Sequence, residues 1–154
     1  MNPQELAEWR KEWGIPEIVL SRLEKREGID AVLFIADDGS AEGAARRLAA
    51  HIGDAVIEVP PGGVFSLDQS AGFLTDAEYK ATLFERVPER PSVLVENLET
   101  QTYSFLERLK GMLERAKRPF LLVATARTKE KVPDLLAGFF LEFRKTRKPP
   151  HARQ

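Results

Sequence analysis

Two short stretches carry the side chains from which a phosphate or magnesium site is built. In FIADDGSAEGAARRLAAHIG (residues 34–53) an apolar run ends at Asp37, Asp38, Gly39 and Ser40, and an alanine-rich segment containing Glu42 follows. A strand, a glycine turn and a helix present backbone N–H groups and the positive end of the helix dipole to an anion. A phosphate loop also needs a lysine for the outer phosphates and a hydroxyl for magnesium. Ser40 supplies the hydroxyl, but the lysine's place holds Glu42. The second stretch is SVLVEN, which ends in Glu96 and Asn97. Ser40 and Glu96 together would suffice to flank a magnesium ion. The same residues also have a plain reading: Asp37 and Asp38 suit any helix N-terminus through the dipole, and Glu96 with Asn97 suits any strand end.

The elements that must position these groups are legible from periodicity. AVLFIA (31–36), AVIEV (55–59), SVLVE (92–96), FLLVAT (120–125) and FFLEF (139–143) are short, β-branched or aromatic runs, as strands are. Nearly continuous apolar runs suit strands covered on both faces. Between them, Ala44, Ala45, Leu48, Ala49 and Ile52 recur at helical spacing, with Ser40 as predicted N-cap and Gly53 as predicted stop. In ETQTYSFLERLKGMLERAK, Phe105, Leu106, Leu109, Met112, Leu113 and Ala116 recur likewise. Strands alternating with helices predict a parallel sheet with right-handed crossovers, and binding at the carboxyl ends of its strands. That places Asp37 to Ser40, Glu96 to Leu98 and Thr125 to Thr128 along one edge. Two helices precede the first strand: residues 3–13 with Leu6, Trp9 and Trp13, and a second opened by Pro16 with Ile18, Val19, Leu20 and Leu23. The tryptophans are expected in the core or under a lid.

Composition restricts the partners. The chain has 154 residues, 43% apolar and 31% charged, enough for one globular domain with a buried core. Lysine plus arginine number 23 against 24 acids, so the net charge of -1 exerts no general pull on nucleic acid or anionic membrane. The absence of cysteine excludes disulfides and thiolate metal sites, and two separated histidines argue against a zinc or iron centre. No apolar run reaches the roughly 20 residues of a membrane span, and the charged start is not a signal peptide. The expected address is the cytoplasm. Residues 60–73, PPGGVFSLDQSAGF, have no period and are expected to form a long functional loop. Residues 1–143 read as one α/β domain and 144–154 as a basic tail.

Read in order, these stretches resemble the AAA+ ATPase domain of bacterial sigma-54-dependent transcription activators, over about residues 15–150. ADDGSAEG, Ala36 to Gly43, is similar to that family's GESGTGKE loop. AGFLTDA resembles the sigma-contacting GAFTGA loop, with Gly72, Thr75 and Ala77 matching and Phe73, Leu74 and Asp76 departing. Leu83, Phe84 and Glu85 match a GLFE turn, and Glu96 with Asn97 falls at the acidic pair of GTLFLDEIGEL. LLVATAR is similar to the sensor strand IIAATNR, which makes Thr125 and Arg127 sensor-like and puts Ala126 at the asparagine. GFFLEFRKTR resembles GRFREDLYYR, with Leu141 at one finger arginine and Arg147, beside Arg144, at an inter-subunit position. The resemblance implies a three-layer P-loop NTPase-like fold with a five-stranded, mainly parallel sheet. It also implies ring assembly, with the family's helical lid expected to be absent.

The departures govern the expected chemistry. Hydrolysis depends on charge placed on phosphates and magnesium and on a group that orients water. Glu42 puts a negative charge beside Asp37 and Asp38, and at roughly 4 Å such contacts cost about 1 kcal/mol in water and more in a cleft. Asn97 is no carboxylate base, Ala126 cannot bond water, and Leu141 cannot reach a neighbour's nucleotide. The expectation is therefore an inactive module that binds no cofactor and acts through self-association, an active AAA+ relative or another protein partner. Its surfaces would be the 60–78 loop, including Gly72, Phe73, Leu74 and Thr75, and the edge from Leu141 to Arg147. Two alternatives stand beside it. One is a working ATPase using ATP and Mg2+. The other is an atypical receiver with Asp37 and Asp38 as acidic pair, Thr125 as switch hydroxyl, Lys148 as lysine and Asn97 where the phosphorylated aspartate would fall. The basic tail touching nucleic acid through phosphates alone is the least favoured reading.

Overall fold

The computed structural model describes residues 2–25, 27–53, 56–59, 92–115, 120–136 and 138–145. Helices α1 (Pro3–Glu12) and α2 (Glu17–Lys25) lead into β1 (Ile29–Ile35), followed by α3 (Ser40–Ile52), β2 (Val56–Val59) and β3 (Ser92–Val95). Then come α4 (Tyr103–Arg115), β4 (Phe120–Ala126) and β5 (Leu141–Arg144). The strands form one sheet in the order β2-β3-β4-β1-β5, and every ladder in it is parallel. The expected α/β architecture, a parallel sheet between helical layers, is therefore the observed one.

Alternation along the strands divides the core in two. Val32 and Phe34 of β1, Leu94 of β3, and Leu121 and Val123 of β4 pack under α1, α2 and α3, together with Trp9, Trp13, Leu48 and Phe143. The intervening residues Ala31, Leu33, Ile35, Val93, Val95, Leu122 and Ala124 face the opposite way, against Phe105, Leu106 and Leu109 of α4. Period-2 side chains on strands covered on both faces explain why these runs lack polar residues. The one buried hydroxyl at the start of β3, that of Ser92, donates to the Ala49 carbonyl at 2.9 Å and so ties β3 to α3. Both tryptophans lie in the core, each 2% exposed.

Local chemistry explains most boundaries and corrects several. Asn2 caps α1, accepting from the Glu5 N–H at 2.8 Å, and Pro3 occupies the first turn, where a missing N–H costs nothing. Pro16 precedes α2 as expected, its carbonyl accepting from Val19 and Leu20, while Ile18 points outward at 80% exposure. Ser40 is not the cap of α3: it is the first helical residue, and Gly39, at φ 85°, stands in the capping position. Gly53 does end α3, with extended backbone and its N–H donated to the Ala49 carbonyl. Between Leu98 and Thr100 the chain makes a 3-10 turn, so α4 starts at Tyr103. The last strand begins two residues later than expected because the Phe139 N–H is used in a turn to the Leu136 carbonyl around Gly138. Residues 60–78, Leu83 to Glu85, Ala116, Arg147 and Lys148 lie outside the described residues.

Candidate functional site

The register fixes which loops meet. Ile35 lies opposite Ala126, and Val95 opposite Ala124, so the chain leaves β1, β3 and β4 at one end of the sheet. The loops that begin at Ala36, Glu96 and Arg127 are thereby neighbours, as the sequence implied. Ala36 extends the β1–β4 ladder by donating its N–H to the Ala126 carbonyl at 3.2 Å.

In the first loop the strand-to-helix turn needs the left-handed backbone at Gly39, which glycine adopts without a Cβ penalty. That turn brings Asp38 over the start of α3. One Asp38 oxygen accepts from the Ser40 N–H at 3.0 Å and from the Ser40 hydroxyl, and the other lies 3.4 Å from the Lys145 Nζ. Lys145 also reaches Glu12 of α1 at 3.6 Å. The Ser40 hydroxyl, the Ser40 N–H and then the lysine hold the Asp38 carboxyl down at about 2. The helix N-terminus that would attract a phosphate thus faces a carboxylate of the chain itself. Asp37 is exposed. Glu42, half-buried in the first turn of α3, has no hydrogen bond or ion pair to another described residue.

In the second loop Glu96 is held by a cation that the sequence reading did not single out. Arg46 of α3 sits 3.4 Å from a Glu96 oxygen through Nη2 and 2.6 Å from a Glu58 oxygen through Nη1. The Glu58 bond, with Glu96 beside it, raises the guanidinium pKa further. A helical wheel places Arg46 one turn beyond Glu42, but only the adjacency of β2 and β3 shows that two carboxylates converge on it. Lys145 was hidden in the same way, reading in sequence as the start of a basic tail.

Asn97 follows in a left-handed conformation, φ 55°, one that asparagine tolerates better than most residues. Its N–H donates to the Thr125 hydroxyl oxygen at 2.8 Å, its carbonyl accepts from Thr100, and Gln101 donates to the Glu96 carbonyl at 3.1 Å. Glu99 accepts from the Arg127 N–H at 3.0 Å. The segments at Glu96–Glu99 and Thr125–Arg127 therefore meet, fastened by side chain to backbone bonds. Thr125→Val removes the acceptor of the Asn97 N–H, and we expect a loss of about 1 kcal/mol in urea unfolding, because that N–H is only half-buried. An unchanged midpoint would show that water replaces the hydroxyl.

The remaining candidates are peripheral. Arg144 ends β5, exposed, with Glu142 at 4.0 Å, and Leu141 packs partly against the core beneath α3. Gly72, Phe73, Leu74, Thr75 and Arg147 lie outside the described residues. A cleft of about 190 Å³ opens beside this edge, lined by Trp9, Glu12, Trp13, Ser40 and Arg47 among others. Among the described residues no group of three or more histidines or carboxylates is placed to hold a metal, and no helix is long and apolar enough to cross a membrane. Glu42 stands in the first turn of α3, Glu96 is engaged by Arg46, and the Lys145 amine at the loop is paired with Asp38 and Glu12.

No protein-family model matches the sequence, and none of the curated proteins matches it. Solved structures do match the fold, and they are AAA+ ATPases. A DNA polymerase III gamma subunit-related protein of Thermotoga maritima superposes with a TM-score of 0.62 at 18% identity, over 89% of this chain and 47% of that one. A variant of Thermotoga maritima RuvB gives 0.66 at 16% identity, over 90% and 44%. PCH-2 of C. elegans gives 0.57 at 16%, over 87% and 42%. The chain thus spans less than half of each. At these identities the likeness is one of fold, the α/β P-loop NTPase-like fold of AAA+ domains.

Proposed function

We propose that this chain is a catalytically inactive AAA+-like module that works by protein–protein contact, in self-association or docked on an active AAA+ relative. The observation that carries the reading is the self-pairing of the cleft charges. Asp38 lies over the helix start, Arg46 engages Glu96, and Glu42 adds negative charge where a nucleotide needs a cation. Asn97 and Thr125 are joined to each other, with Asn97 in the place of a carboxylate base. The likeness of the motif order to sigma-54 activators supports a setting in transcription-related regulation, and the charge balance argues against direct nucleic-acid binding. Partner surfaces under this reading are the 60–78 segment and the β5 edge through Arg144.

Titration calorimetry with ATP and ADP plus magnesium, with Glu42→Lys alongside, tests the proposal. The native chain is expected to give no heat, and pull-downs or gel filtration to reveal a partner or a self-associated species. Micromolar nucleotide binding by the native chain, or ATP turnover abolished by Glu96→Ala, would sink the inactive reading. One observation favours a nucleotide sensor as the second reading: Lys145 brings an amine to the loop from β5.

A further inference from the structure

We propose that Arg46 is a resident cation that stands in place of a divalent metal at the ends of β2 and β3. This rests on the reading of the chain as a catalytically inactive AAA+-like module. Glu58 lies opposite Leu94 in the β2–β3 ladder, and Glu96 is two residues further along β3's direction. Residues 92, 94 and 96 alternate onto one face, and Ser92 and Leu94 place that face against α3. Two carboxylates are thereby brought to one face on a diagonal, Glu58 within β2 and Glu96 just past the end of β3. Like charges so placed repel unless a cation sits between them, and a metal ion or a bidentate guanidinium can do so.

Arg46 meets the requirement from above. It lies at the end of the second turn of α3, and its two terminal nitrogens divide between the carboxylates, 2.6 Å to Glu58 and 3.4 Å to Glu96. The planar fork suits this bridging as a lysine ammonium would not. The side chains of Arg46 and Glu58 are 48% and 55% exposed, and that of Glu96 is 22% exposed, so the arrangement is open enough for an ion to exchange with the guanidinium were it removed. The consequence is a strand edge whose charge state and geometry do not depend on magnesium.

Thermal unfolding of the native chain, Arg46→Gln and Arg46→Lys, each with and without millimolar MgCl2 or MnCl2, tests this. The native midpoint is expected not to respond to either ion. Arg46→Gln should melt about 2–4 °C lower, the shift expected for loss of a partly exposed ion pair in a chain of this size, and should recover when the divalent ion is added. Arg46→Lys should lie between the two and respond weakly, and it serves if the glutamine variant does not fold. A native midpoint raised by magnesium, or an Arg46→Gln midpoint that is unshifted or blind to both ions, would overturn the proposal. Nucleotide binding by the native chain without metal would instead overturn the inactive-module reading and leave the role of Arg46 standing.

Discussion

Phe34→Ala is expected to lower stability by about 3–5 kcal/mol, the usual cost of removing a buried aromatic ring. Phe34 is fully buried in β1 and is the hub of the aromatic cluster that joins the leading helices to the sheet. Its ring lies 5.2 Å from Trp13 in an edge-on arrangement, 6.0 Å from Trp9 and 5.7 Å from Phe143. Edge-on aromatic contacts add to the area buried, so truncation forfeits both packing and ring–ring attraction. A domain of this kind is stable by about 5–15 kcal/mol, so much of the total is at stake. The melting point should fall on the order of 10 °C. The chain's two tryptophans both touch this ring, which makes indole emission the readout. Because α1 reaches the sheet through Trp9 and Trp13, their emission should shift toward the red before the sheet unfolds. A drop of only about 2 °C with unmoved emission would mean that the helices are held by other contacts.

Gly53→Ala is expected to cost about 1–3 kcal/mol or more through overpacking rather than through backbone conformation. Gly53 has extended backbone, φ −83°, which any residue adopts. A methyl group there, however, would stand 2.7 Å from the Ser92 backbone nitrogen and 2.9 Å from its Cβ, and closer still to its hydroxyl oxygen. Ser92 cannot retreat easily, since it is wholly buried and its hydroxyl is bound to the Ala49 carbonyl, which also accepts from the Gly53 N–H. The strain therefore moves β3, the strand that leads into Glu96. Gly28→Ala is the control, because a Cβ at that position meets nothing within 4 Å, and it should change stability by less than about 0.5 kcal/mol. Urea unfolding of both variants decides the matter. Equal midpoints for Gly53→Ala and Gly28→Ala would show that the α3–β3 contact is looser than described.

These two positions show how differently sequence speaks about structure. Phe34 could be placed in a core from its apolar neighbours alone, because an uninterrupted run of that length must be covered on both faces. Gly53 read as a helix stop, and it is one, with extended backbone. Its requirement is room for Ser92, 39 residues later in the chain, and no local pattern encodes that. Ser40 shows the same limit at shorter range. A serine before an alanine-rich helix is the ordinary cap, yet Asp38 and Gly39 together supply a tighter turn with a charged acceptor, and Ser40 becomes a donor inside the helix.

The sequence alone revealed the order of strands and helices, the double coverage of the sheet, and the meeting of the Asp37–Ser40, Glu96–Leu98 and Thr125–Thr128 loops at one edge. It did so because periodicity and parallel crossover rules act locally and leave few topologies. It also showed that residues 36–43 hold three carboxylates and no lysine, since that is a matter of residue type. Where the cations lie came from the packing. Arg46 and Lys145 are ordinary surface residues in sequence, and they became the partners of Glu58, Glu96 and Asp38 when β2 fell beside β3 and β5 beside β1. Charge pairing depends on distances of a few ångströms between elements far apart in the chain, so it follows from packing and cannot precede it.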